Sequence, residues 1–169
     1  MSNGLVDPFG HNSWATRQLL AFCSDLTTEQ LEASAEGTYG SILATLRHLV
    51  GAERRYRMRL GGETPEPVDP TATAGLDELD RLMEQLSTSW DELAAGEFDP
   101  DRVLSWTSSV SGARQEAAAG LLVAQALNHG NEHRAQIYTV LTTIGVEPPD
   151  LDAWSYGLAT GRFRETPAE

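Results

Sequence analysis

The sequence predicts an all-α fold, a four-helix bundle, on three observations. Four long stretches carry apolar residues at helical spacing, Gly and Pro punctuate the chain between them, and only one short piece has the makings of a strand pair. At 169 residues the chain is expected to form one domain over residues 1–169, large enough to bury a core without disulfide staples.

The first helix is predicted over residues 8–24, with Asp7 as N-cap and Pro8 at the first helical position, where its missing N–H costs nothing. In "DLTTEQLEAS", Thr28 offers a cap for one or two further turns. The second long helix spans residues 41–60 after the loop "EGTYG" and stops at Gly61-Gly62. "ETPEPVDPTATAG" reads as a linker. The third spans residues 76–95, where Leu76, Leu79, Leu82, Met83, Leu86, Trp90 and Leu93 form one apolar stripe. "VLSW" and "SSV" are candidates for a short hairpin. The fourth and longest helix is predicted over residues 114–144, ending before Gly145 and "EPPD". A short last helix over residues 152–160 completes the chain, joined to a bundle of four.

Composition narrows the function. The formal charge of -13 is spread along the chain, so phosphate backbones and anionic lipid surfaces would be repelled, and neither nucleic-acid nor membrane binding is expected. No continuous apolar run reaches the length of a membrane span, and the first residues, "MSNGLVDPFGHNSW", lack a signal-peptide pattern, so a cytoplasmic location is expected. All twelve basic residues are arginine, a bias that suits a GC-rich genome. The single Cys23 sits in the apolar run "LLAFCSDL" and reads as a small buried hydrophobe.

The informative feature is "LNHGNEHRAQIYTVL". His129 and His133 lie one turn apart at the centre of the fourth helix's apolar stripe, alongside Leu122, Ala126, Ile137 and Val140. Imidazoles at i and i+4 are about 5 to 6 Å apart, near enough to share a divalent metal and costly to bury without a partner. Two core histidines bonded to Gln125 and Gln136 would give the same pattern, and a third ligand would decide between the two. His48, in "TLRHLVGAERRYRMRL", lies on the flank of its helix's stripe, about 120° from the centre, but a bundle helix touches two neighbours and its flank can look inward. His11, at the start of the first helix, reads as an exposed polar residue.

Two sharper motifs fail. His129-Gly130-Asn131-Glu132-His133 spells H-x-x-E-H, yet too little chain follows for the catalytic domain of an inverted zinc peptidase. Glu132 lies off the ligand axis and reads as a solvated flank residue. A carboxylate-bridged di-iron centre needs Glu-x-x-His pairs, and Thr45, Ala126 and Gly130 stand three residues before His48, His129 and His133.

Taken together, "HNSWATRQLL", "GSILATLRHLVGAERRY", "NHGNEHRAQIYTVL" and "GVEPPDLDAWSY" resemble the DinB/YfiT-like superfamily of bacterial four-helix-bundle metalloproteins over nearly the whole chain. The resemblance implies a bundle of the DinB type, with long crossover connections and a divalent metal held in its core by His48, His129 and His133. Three imidazoles leave a coordination position open, and zinc and nickel suit them equally. Characterised members of the superfamily are thiol transferases and isomerases that use bacillithiol, mycothiol or glutathione. The resemblance therefore implies a metal-dependent thiol S-transferase, with mycothiol as cosubstrate on the strength of the arginine-only composition, an electrophilic small molecule as second substrate, and a homodimer. A non-catalytic metal- or small-ligand-binding stress protein on the same scaffold is the alternative. Arg54, Arg55, Arg57 and Arg59 follow His48 and are candidates for clamping an anionic substrate, although consecutive helical positions point in different directions.

Overall fold

The long helices form where the apolar spacing places them. In the computed structural model, which describes residues 4–61, 63, 69–108 and 111–166, they are α1 (Val6–Cys23), α3 (Ile42–Gly61), α4 (Leu76–Ala95) and α5 (Ala119–Thr143). Short helices α2 (Thr28–Leu31) and α6 (Ala153–Thr160) and a two-stranded sheet, β1 (Val103–Thr107) and β2 (Arg114–Ala118), complete the described residues. The protein is thus mostly helical. Helix α1 packs along α4 and against α5, and α3 packs against both α4 and α5, so the four long helices close into a ring of neighbours.

Their apolar stripes meet inside that ring. Phe9, Leu19 and Leu20 of α1, Leu46 of α3, Met83 and Trp90 of α4, and Ile137 and Leu141 of α5 are all essentially buried. Phe9 and Trp90 stack with ring centroids 4.1 Å apart, an aromatic pair of the kind that adds about 0.5–1.5 kcal/mol beyond its area. Cys23 is buried among them, and burial pushes its thiol up to about 12, so it packs as a hydrophobe.

Helix ends depart from expectation in physically readable ways. Leu5, not Asp7, is the N-cap of α1, and Asp7 sits in the first turn, where its carboxylate accepts two hydrogen bonds from Arg162. Thr27, not Thr28, caps α2, because its hydroxyl reaches the Gln30 N–H while the Gln30 side chain reaches back to the Thr27 N–H. Asp152 caps α6 through Ser155 N–H. Helix α5 ends in a Schellman turn: Gly145 adopts φ 76°, its N–H donates to Thr142, and Val146 N–H donates to Leu141.

The largest correction concerns residues 114–118. Predicted as the start of the fourth helix, they form β2, antiparallel to β1 with Val103 opposite Ala118 and Thr107 opposite Arg114. Helix α5 begins only at Ala119, where the N–H groups of Ala119 and Gly120 donate to the carbonyls of Arg102 and Pro100. Those carbonyls satisfy N–H groups that a side-chain cap would otherwise serve. "VLSW" does lie in the strand β1, whereas Ser109 and Val110 of "SSV" and residues 64–68 of the linker fall outside the described residues. No described helix is long and apolar enough to cross a membrane.

Candidate metal centre

The half-buried flank of α3 faces α5, and that contact brings three histidines together. His48 comes from α3, and His129 and His133 from one face of α5. Each offers one ring nitrogen, and these atoms all lie within 4.8 Å of one another. His48 Nε2 and His129 Nε2 are 3.1 Å apart, close to the about 3.3 Å expected between two imidazole nitrogens on one tetrahedral zinc. The four-residue spacing on α5 alone makes a pair; the α3–α5 packing adds the third ring.

The surroundings hold two of the rings neutral and orient the third. Burial pushes His48 below its ordinary value, helped by the neighbouring His133 and by Arg55, with Asp69 opposing. Burial takes His129 down to about 4, with His133, His48 and Arg55 acting in the same direction. Both are therefore neutral near pH 7, with lone pairs available to a cation. His133 Nδ1 lies 2.9 Å from Gln136 Oε1, which also accepts the Tyr39 N–H at 3.2 Å. An amide oxygen can only accept, so Nδ1 carries the proton and Nε2 is left as the donor atom. His129 Nδ1 is buried and has no hydrogen-bond partner among the described residues.

Two tyrosines wall the site. Tyr39, in the loop before α3, stacks on His48 with centroids 4.1 Å apart and meets His133 edge-on at 5.4 Å. Tyr56 of α3 meets His129 edge-on at 5.5 Å, and its hydroxyl accepts from Gln125 at 3.4 Å. Gln136 thus bonds a histidine, but Gln125 serves Tyr56 instead.

Of the other candidates, His11 is not simply exposed. It is half-buried, its Nε2 donating to the Leu151 carbonyl at 2.8 Å, with the Trp14 and Tyr156 rings beside it. Glu132 is exposed, as its position on the helix indicated. Among the arginines after His48, Arg57 donates to the Ser89 carbonyl and Arg59 lies 4.9 Å from the Trp106 ring centroid. Arg55 bears on the imidazoles, acting electrostatically on both His48 and His129.

Directly beside the histidines runs a buried polar chain that periodicity did not reveal. Glu53 is fully buried, accepting from Asn12 Nδ2 at 2.7 Å and from Trp90 Nε1 at 3.0 Å. Arg134, next to His133, donates to Asn12 Oδ1 at 2.9 Å and to Thr16 Oγ1 at 3.0 Å. Asn12 therefore bridges a buried carboxyl and a buried guanidinium, tying together α1, α3, α4 and α5. Burial pushes the Glu53 carboxyl up, and its hydrogen bonds with Asn12 and Trp90 and the Arg134 charge pull it back only in part. The bridge requires Gly130, since a Cβ there would meet the Asn12 carboxamide and, at 3.0 Å, the Arg134 guanidinium. A glycine between two helical histidines was the available signal.

Comparison with known proteins agrees with this architecture. The structure is similar to the crystal structure of a DinB-like protein from Bacillus cereus ATCC 10987, with a TM-score of 0.58 at 16% identity over 83% of this chain and 90% of that one. No curated protein matches the chain significantly. The family model described as the DinB family matches residues 1–165. On that match over nearly its whole length, the chain belongs to the DinB family.

Proposed function

We propose that the protein is a metal-dependent thiol S-transferase in which His48, His129 and His133 hold a zinc or nickel ion and the cosubstrate is a low-molecular-weight thiol such as mycothiol. The observation that carries this reading is the convergence, within 4.8 Å, of three ring nitrogens on two helices, two of the rings being held neutral by burial. In the same reading the ring of helices is a four-helix bundle of the DinB type with long crossover connections, forming one domain over residues 1–169.

A bound divalent ion with three imidazole ligands supplies a Lewis acid with an open position, able to lower the pKa of a thiol that reaches it. The chain's own residues do the rest. Gln136 fixes the His133 tautomer, Tyr39 and Tyr56 hold the His48 and His129 rings and restrict water at their faces, and the Asn12 bridge sets the separation of α3 and α5. Among the described residues, the cluster of ring nitrogens is made of imidazoles alone.

The reading further takes the protein to act in the cytoplasm, as a homodimer, on a small thiol and an electrophile. The charge of -13 argues against nucleic acid and anionic membranes as partners.

The test is conjugation of an electrophile panel with mycothiol by zinc- and nickel-loaded protein, with His129→Ala as control. Turnover in the loaded wild type and its loss in the variant would support the transferase. A loaded wild type that conjugates nothing in the panel would leave the non-catalytic metal-binding protein as the better account.

A further inference from the structure

Gly51 lies on α3 one turn after His48, and its missing side chain is used. A Cβ at Gly51 would stand 2.6 Å from Asp69 Oδ2, 2.6 Å from Thr71 Oγ1 and 3.2 Å from an Arg55 guanidinium nitrogen. The three polar groups thus converge over a bare patch of helix directly beside the imidazoles.

Arg55 reaches that patch because helical side chains lean toward the helix N-terminus. From a Cα two turns beyond His48, its guanidinium folds back over Gly51, bringing the charge to within about one turn, roughly 5 Å of rise, of the His48 position. Asp69 holds it there, accepting from Arg55 at 2.6 Å. Asp69 is itself fixed, because its other oxygen accepts both the N–H and the hydroxyl of Thr71. Thr71 is buried, whereas Arg55 and Asp69 keep about a third of their side-chain surface open, 35% and 37%.

Only one of the guanidinium's nitrogens is engaged by Asp69. A guanidinium carries five N–H donors in a planar fork, so an edge remains for a second anion.

We propose that Arg55, held over Gly51 by Asp69, is an anion-recognising position beside the three imidazoles, and that the site takes a small molecule bearing a carboxylate. This rests on the metal-centre reading above. The rest of the molecule makes the assignment specific: at a net charge of -13 the overall field repels anions, so any preference for a carboxylate must come from a local cation. Arg57 and Arg59 are directed elsewhere, to the Ser89 carbonyl and the Trp106 ring.

Cobalt(II)-loaded protein tests this by spectroscopy, without turnover. Binding of 3-mercaptopropionate and of its uncharged analogue 3-mercaptopropionamide is read from the sulfur-to-cobalt charge-transfer band, in wild type, Arg55→Gln and Asp69→Asn. Wild type should bind the carboxylate thiol about tenfold more tightly than the amide, as expected of one charge-assisted hydrogen-bonded pair. Arg55→Gln should lose that preference while binding the amide unchanged. Asp69→Asn should weaken it, because the guanidinium is no longer held over Gly51, while leaving binding of the amide unchanged, a split that a merely structural ion pair would not give. Propionate added to protein saturated with the amide tests the other source, a carboxylate on the second substrate: a spectral change in wild type and none in Arg55→Gln assigns the anion to that molecule. If neither arm separates wild type from Arg55→Gln, the proposal is overturned while the thiol reading stands. If neither thiol gives a band, both are overturned together.

Discussion

Gln136 Oε1 lies 2.9 Å from His133 Nδ1 and also accepts the Tyr39 N–H, so one carboxamide orients an imidazole and pins the loop that covers it. Partners of this kind typically contribute 10- to 100-fold in metal affinity, roughly, by fixing the tautomer of the ligand. Gln136→Leu should weaken zinc binding by about that factor, whereas Gln136→Glu, which keeps the acceptor, should retain it. Competition with a chromophoric chelator measures both. Equal affinity in all three proteins would remove Gln136 from the site.

The Asn12 bridge yields a stability prediction. Glu53 and Arg134 are both buried and bear opposite charges, each bonded to the same carboxamide. Removing one partner of a buried pair strands the other and costs about 3–5 kcal/mol. Glu53→Gln and Arg134→Met should each lose stability on that scale in urea unfolding. The double variant should lose much less than their sum, because no charge is left unpaired.

Two glycines are predicted to resist even alanine. At Gly130 the added methyl meets Asn12 and Arg134, and at Gly51 it meets Asp69 and Thr71 at 2.6 Å. Overpacking of this kind costs about 1–3 kcal/mol. The consequences should differ, however. Gly130→Ala should lower the unfolding midpoint most, since it breaks a buried bridge. Gly51→Ala should mainly displace the half-exposed Arg55–Asp69 pair, with a smaller loss of stability and a loss of carboxylate preference.

A pH dependence follows from the neutral imidazoles. Burial first, and neighbouring positive charge second, keep His48 below its ordinary value and His129 at about 4. Between the ordinary histidine range and that depressed value the unfolded chain binds more protons than the folded one, so stability of the metal-free protein should fall as pH drops from about 6.5 toward 4. Above that window these groups contribute no pH dependence. Thermal unfolding of wild type and His129→Gln between pH 7.5 and 4.5 separates this from general acid titration: the variant should show the flatter profile. Parallel profiles would mean that His129 is not desolvated.

Much of this was readable from the residues, and the misses have causes. The apolar stripe at residues 76–95 matched α4 because Gly75 and Gly96 bound it. The pairing of His129 with His133 was legible because four residues along a helix is a fixed geometry. His48 was only permitted by its flank position, since which neighbour a flank meets is decided by α3–α5 packing, and the resemblance of motifs supplied it. Residues 114–118 looked helical, "RQEAA" being rich in helix formers, and became β2 because pairing with β1 and the carbonyls of Pro100 and Arg102 fix where α5 begins. Asn12, Glu53 and Arg134 are distant in sequence and join through side chains alone, so no spacing rule finds them. Tyr39 looked like loop punctuation, and only the fold lays its ring on His48.

The central claim is that His48, His129 and His133 hold one divalent ion. It is tested most directly by elemental analysis of protein purified without an affinity tag or chelator, followed by zinc and nickel titration, on wild type, His48→Ala and His133→Ala. The account predicts about one equivalent of zinc or nickel in wild type and a sharp loss in both variants, with circular dichroism showing that the helices remain. A wild type that neither carries nor takes up a divalent ion would contradict it, as would a His48→Ala variant that binds as wild type does.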